Sequence, residues 1–267
     1  MSTIAHSADG TPISYQSVGS GPDLLIVGGA NRTAKDYLPL ATALAGAFTV
    51  HVVDRRGRGA SGPQGPDYSL EKEVEDLLAV QKRTGARLAV GHSYGGLVVM
   101  ETARVLQLFD RVAVYEPGVI AQPEPTAWMA PYRERLAAGD AYGAFIHFIR
   151  GSGGAPAFMT KMPDWYLRLV LRVVFRGPAW RSLLEPNLAE HEQLAAQYGR
   201  LPEFAAVSAQ VLILDGSRST PAAKANCAAL RDTLPHATYE TLEGLNHFGP
   251  EGKSARVVAK RVLAFCR

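Results

Sequence analysis

The sequence predicts an α/β chain built on a doubly wound, mostly parallel sheet. Five short, almost wholly apolar runs recur: LLIV (24–27), FTVHVVD (48–54), RLAV (87–90), RVAVYE (111–116) and VLIL (211–214). Runs without polar alternation suit strands covered on both faces, as in a parallel sheet. Helical patterns lie between them, and that alternation marks doubly wound packing. From about 121 to 205 no strand-like run appears, so this stretch reads as a helical insertion between two core strands.

Each element has its own local reason. TPISYQSV (11–18), with Asp9-Gly10 before it and a Gly-Ser-Gly-Pro run after it, reads as an early hairpin arm. In SLEKEVEDLLAVQKRTG (69–85), Leu70, Val74, Leu77 and Leu78 fall on one stripe. Glu71 and Glu73 sit in the first turn, where the helix dipole favours them, and Gly85 stops the helix. GLVVMETARVLQLF (96–109) is apolar nearly all round, as a helix buried against a sheet should be. Within the insertion the pieces are rich in Trp, Tyr, Arg and Pro, and WYLRLVLRVVF (165–175) is the most apolar. KSARVVAKRVLAF (253–265) reads as a last covering helix.

Composition narrows the function. The 267 residues suffice for one large core with an insertion. With 47% hydrophobic and 20% charged residues the chain is an ordinary globular one. A net charge of +3 is small for the length. The one dense basic cluster, Arg55, Arg56 and Arg58, is glycine-interleaved and lacks aromatic partners, so it reads as a solvated loop and not a nucleic-acid surface. Cys227 and Cys266 are too few for a disulfide framework and read as free thiols. No signal peptide is visible and no apolar run is long enough to span a membrane, so a cytoplasmic protein is expected.

The chemistry centres on GHSYGG (91–96). Glycines two before and two after one serine, where a strand meets a helix, form a nucleophile elbow. Gly91 and Gly95 leave room in a turn that side chains would block, holding the Ser93 hydroxyl above the sheet. The helix N-terminus that follows favours developing negative charge.

With these residues the chain resembles the α/β-hydrolase family, in particular its capped esterase and lactonase branch. The resemblance covers essentially the whole chain and rests on IVGGANR (26–32), DRRGRGASG (54–62), GHSYGG (91–96), YEPG (115–118), LDGSRS (214–219) and GLNHFGP (244–250). It implies an α/β-hydrolase fold, core 1–120 and 206–267, with a helical cap (121–205) inserted after the strand ending at Glu116. The family's usual His-Gly loop is here Gly28-Gly29. By position the resemblance makes the backbone N–H groups of Ala30 and Tyr94 the oxyanion hole.

It also assigns the base. His247, in GLNHFGP, matches the family's catalytic histidine and arrives late, giving the order serine, acid, histidine. His92 reads as an elbow packing residue and His51 as part of a strand; His6, His147, His191 and His236 match no motif position. The acid departs from the family. Its commonest position here is Ser219, which carries no charge. Asp215 and Glu116 both end strands, and Glu116 is preferred because strand C-terminal ends gather sites and some members use an acid there.

Two decoys fall away. Gly57-x-Gly59-x-x-Gly62 is followed by Pro63-Gln64-Gly65-Pro66 and not by the helix a dinucleotide site needs. No HExxH, paired CxxC or carboxylate cluster proposes a metal. The expectation is a cofactor-free serine hydrolase acting on a small, largely apolar ester or lactone, with Trp128, Trp165 and Tyr166 either lining its pocket or packing the cap. A small molecule is the expected partner, without nucleic acid or membrane, and a homodimer stays open. A non-hydrolytic enzyme on this fold (lyase, cyclase or cofactor-free oxygenase), or a binding protein without turnover, is the alternative.

Overall fold

The computed structural model describes every residue except Met1, Gly154, Pro156, Arg176 and Gly177. The chain opens with β1 (Ser2–His6), β2 (Pro12–Gly19) and β3 (Asp23–Val27), followed by α1 (Leu38–Leu44), β4 (Thr49–Val53) and α2 (Leu70–Thr84). The centre is β5 (Leu88–His92), α3 (Tyr94–Leu106) and β6 (Arg111–Tyr115). Then come α4 (Met129–Ala137), α5 (Ala141–Gly151), α6 (Ala157–Thr160), α7 (Asp164–Val174), α8 (Pro178–Arg181) and α9 (Leu184–Ala195). The chain closes with β7 (Gln210–Gly216), α10 (Pro221–Thr233), β8 (Ala237–Leu242) and α11 (Ala255–Cys266).

The strands form one sheet in the order β1-β2-β4-β3-β5-β6-β7-β8. β1 and β2 make an antiparallel hairpin, β2 runs antiparallel to β4, and the rest is parallel. Successive strand residues face opposite sides. Leu25, Val27, Val112 and Val114 pack under α2, α3 and α10. Leu24, Ile26, Ala113 and Tyr115 pack under α1 and α11. Burial on both faces is why these strands carry no polar alternation.

The 69–85 helix is as expected: Ser69 caps it, accepting from Lys72 N–H, and Gly85 ends it in the left-handed region at φ 76°. The 96–109 helix begins two residues earlier, at Tyr94, and stops at Leu106, where Gln107 turns left-handed at φ 49°. Strands β1 and β8 and helices α1 and α10 were not anticipated. β8 sits at the sheet edge and is largely half-buried or exposed, so its sequence ATYETL lacks the apolar run of the inner strands.

The arginine cluster overturns its solvated-loop reading: Arg55, Arg56 and Arg58 are only 3%, 1% and 4% exposed. Arg56 grips both oxygens of Asp76 at 2.7 Å and reaches Asp9 at 3.0 Å. Arg58 meets Glu190 of α9, and Arg55 meets Glu73 and Glu190. One carboxylate partner, Glu190, lies 132 residues beyond Arg58, so local charge density could not reveal it. The Gly57–Gly62 segment is a turn, and the next helix begins only at Leu70.

Between β6 and β7 the described residues hold helices and no strand. They carry small cores of their own: Trp128, Tyr132, Ala144, Leu184 and Leu188 in one, Ile146, Ile149, Leu167 and Leu171 in the other.

Candidate active site

Ser93 joins β5 to α3 at φ 53° and ψ −124°, a strained backbone for a residue with a Cβ. Its glycines are there for space. A Cβ on Gly91 would meet Gly96 Cα at 2.6 Å, and one on Gly95 would meet the carbonyl oxygens of Val27 and Gly28 at 2.4 Å. The nucleophile candidate is half-buried at the C-terminal edge of the parallel strands.

Glu116 follows β6 with a second uncommon backbone, φ 43°. Its Oε2 is 2.7 Å from His247 Nδ1. The carboxylate fixes the proton on Nδ1, leaving Nε2 as the free lone pair. Ser219, at the family's usual acid position, donates its hydroxyl to Glu116 Oε1. Asp215 is fully buried, and its Oδ2 accepts instead from the Tyr239 hydroxyl. Glu116, and not Asp215, therefore stands beside the histidine.

No hydrogen bond joins Ser93 to His247 among the described residues. Such bonds often tighten only when substrate arrives. The neighbouring His92 ties the two loops together. His92 Nε2 donates to the His247 carbonyl at 2.8 Å, and the two rings lie 4.9 Å apart. A carbonyl only accepts, so Nε2 carries the hydrogen and Nδ1 accepts from the Tyr37 hydroxyl at 2.6 Å. Tyr37 in turn accepts from the Gly29 N–H at 2.8 Å. Burial, with His247 close by, holds His92 well below the usual histidine range and keeps this chain of bonds intact.

Tyr37 also accounts for the missing histidine of the His-Gly loop. A Cβ at Gly28 would come within 2.4 Å of its ring, so no side chain fits there. Sequence reasoning passed over Tyr37 because AKDY (34–37) carries no motif. The Ala30 and Tyr94 N–H groups donate to no protein acceptor among the described residues.

The remaining candidates separate. Trp128 is buried inside the insertion, edge-on to Tyr132, Phe148 and His191. Trp165 and Tyr166 lie on the solvent side of α7, 69% and 40% exposed. None of the three stands among the contacts of Ser93 or His247. Leu194 of α9 comes nearer: a Cβ on Gly118 would touch its Cδ1 at 2.9 Å and lie 3.5 Å from Tyr94 Cα. Among the described residues no group of three or more His, Cys, Asp or Glu could hold a metal, and no helix is long and apolar enough to cross a membrane.

Comparisons with known proteins identify the family and the fold. A family model described as "Alpha/beta hydrolase family" matches residues 24–261. A solved alpha/beta hydrolase from Sphaerobacter thermophilus superposes with a TM-score of 0.85 at 30% identity, covering 99% of this chain and 100% of that one. The enol-lactonase of Burkholderia xenovorans shares the fold, with a TM-score of 0.73 at 22% identity over 99% of each chain. A protein of Agrobacterium fabrum provisionally named carbamate hydrolase RutD is 26% identical over 160 residues, 48% of this chain and 61% of its own length. The chain thus spans about three fifths of that curated relative.

Proposed function

The chain belongs to the α/β-hydrolase family, and from that premise we propose that it is a serine hydrolase of small, largely apolar carboxylic esters or lactones. Ser93 Oγ attacks the carbonyl carbon while His247 Nε2 takes its proton. Glu116 holds Nδ1 and stabilises the imidazolium. The Ala30 and Tyr94 N–H groups receive the oxyanion. The alcohol leaves with the proton from His247, and water activated by the same imidazole then releases the acid.

One observation carries this reading: the 2.7 Å contact between Glu116 and His247 Nδ1, beside a strained serine whose turn has no room for side chains. The insertion at 121–205 serves as a cap. Leu194, together with Phe248 next to the base, supplies apolar surface toward the site.

A fluorophosphonate probe followed by hydrolysis assays tests the proposal. Wild-type protein should be labelled at Ser93 and should cleave members of an ester and lactone panel to acid and alcohol. Ser93→Ala should stay folded and do neither. Full turnover in that variant, or a wild type that the probe leaves untouched, would sink the serine mechanism.

A further inference from the structure

Arg55 is a buried charge that the ester chemistry above does not use. Its side chain is 2% exposed. Nε donates to the Gly28 carbonyl at 2.9 Å and Nη2 to the Gly29 carbonyl at 3.1 Å. Nη1 donates to Glu73 at 2.7 Å, and Nη2 also lies 2.9 Å from Glu190 of α9. The guanidinium carbon stands 4.8 Å from the ring centroid of Tyr94. Buried ion pairs seldom stabilise a fold more than apolar packing would. The effect of this one on its neighbours is more informative.

A trans peptide is planar, so its carbonyl and its N–H point to opposite sides. The 28–29 peptide shows both ends in use: the oxygen faces Arg55, and the Gly29 N–H faces the Tyr37 hydroxyl. In the 29–30 peptide the oxygen again faces Arg55, so the Ala30 N–H is turned the other way. Gly29 lies against the elbow, since a Cβ there would stand 3.5 Å from Ser93 Oγ. Two successive glycines make peptide flips cheap, because glycine accepts either sign of φ. Something outside the loop must choose the orientation.

We infer that Arg55 is the positioning residue of the oxyanion hole: it clamps the Gly29–Ala30 peptide with its N–H available beside Ser93, braces Tyr94, and through Glu190 ties both donors to the helical insertion. The inference rests on the hydrolase reading above. It makes the insertion more than a cover. Glu190 is fully buried, with Arg55 and Arg58 both on its carboxylate, and Asn187, one turn earlier on the same helix, accepts from Asn31 Nδ2 at 2.8 Å. α9 is thus joined to the residue after Ala30 as well as to Arg55, and a shift of this helix would reach the oxyanion donor.

The test uses kcat and KM on a p-nitrophenyl ester and the inhibition constant of phenylboronic acid, whose tetrahedral serine adduct places an oxygen in the oxyanion hole. Arg55→Lys keeps the charge but cannot fork to two carbonyls and a carboxylate. It should lower kcat and weaken the boronate together, by about 10- to 100-fold, with KM nearly unchanged, since displacing a donor costs less than the roughly 10²–10³ of removing one. Glu190→Gln should show the same paired loss at roughly three- to tenfold. Should Arg55→Lys not fold, Arg55→Met/Glu73→Gln removes both charges together and serves in its place. A folded Arg55 variant with unchanged kcat and boronate affinity overturns the clamp. The same result for Glu190→Gln overturns the tie to the insertion. A wild type that forms no Ser93 adduct would instead refute the hydrolase reading itself.

Discussion

The parallel sheet and the helical insertion bury their apolar residues to different degrees. Strands β3, β4, β5 and β6 each end in four consecutive buried residues. In α7, by contrast, Leu167 and Leu171 face inward while Trp165, Leu169 and Val173 stand 69%, 55% and 55% exposed. A dense core is stiff and sparsely buried helices open more readily. The proposed chemistry follows that division. Ser93 and Glu116 directly follow buried strands, and the carbonyl of His247 is held by His92. Among the described residues of the insertion, α9 reaches toward them through Asn187, Glu190 and Leu194, spaced to share one face. In the proposed mechanism the nucleophile, acid and base belong to the core, while the insertion covers the site and seats the oxyanion loop through Glu190.

The sharpest way to break this division is through the acid. Glu116→Gln keeps the volume but removes the charge that supports the imidazolium, so kcat should fall by about 10³–10⁴ with KM little changed. Asp215→Asn, whose partner is Tyr239, should stay near wild type. Steady-state kinetics on folded variants decides it. A crippled Asp215→Asn beside a near-normal Glu116→Gln would reassign the acid.

Legibility in the sequence followed the same line between local and distant causes. The elbow was readable because its glycine spacing marks a turn too tight for side chains, with Gly91 set against Gly96 five residues on. The inner strands were readable because burial on both faces leaves an uninterrupted apolar run. Glu116 was within reach because Ser219 plainly lacks a charge. Arg55 was misread, since the carboxylates that bury it come from α2 and α9. Tyr37 was invisible: its role depends on the absent side chain at Gly28 and on a hydrogen bond to His92, 55 residues on.

Tyr37 offers the second test. Tyr37→Phe preserves the ring that fills the space beside Gly28 but strands the Gly29 N–H and His92 Nδ1 without a partner. Loosening the oxyanion loop and the base loop together should lower kcat by about tenfold to a hundredfold, and an unpaired buried donor should cost about 1–3 kcal/mol of stability. Trp165→Ala, on the exposed face of α7, should change kcat and melting temperature far less. Equal effects of the two substitutions would erase the contrast between core and insertion.

The smallest effect concerns two histidines, one in each region. His92 lies under the elbow. His191, on α9, packs edge-on to Trp128 and Phe148, and its Nδ1 is 2.8 Å from the Asn187 carbonyl. Both are held below the ordinary histidine range, with burial the first cause in each. Each ring resists protonation in the folded protein, while the unfolded chain takes up a proton near pH 6.5. The stability they permit is therefore complete above about pH 6.5 and is lost as the pH falls toward their depressed folded values, at up to about 1.4 kcal/mol per pH unit for each. Urea midpoints measured from pH 7.5 to 5 should decline accordingly, and His191→Gln should flatten the decline while leaving kcat at neutral pH nearly intact. His92→Gln should flatten it as well but lower kcat, because no imidazole remains to join Tyr37 to the His247 carbonyl. If both variants keep the wild-type slope, the two rings are not the groups that take up protons on unfolding. If His191→Gln slows turnover as much as His92→Gln does, α9 enters the reaction geometry through His191 as well as through Glu190.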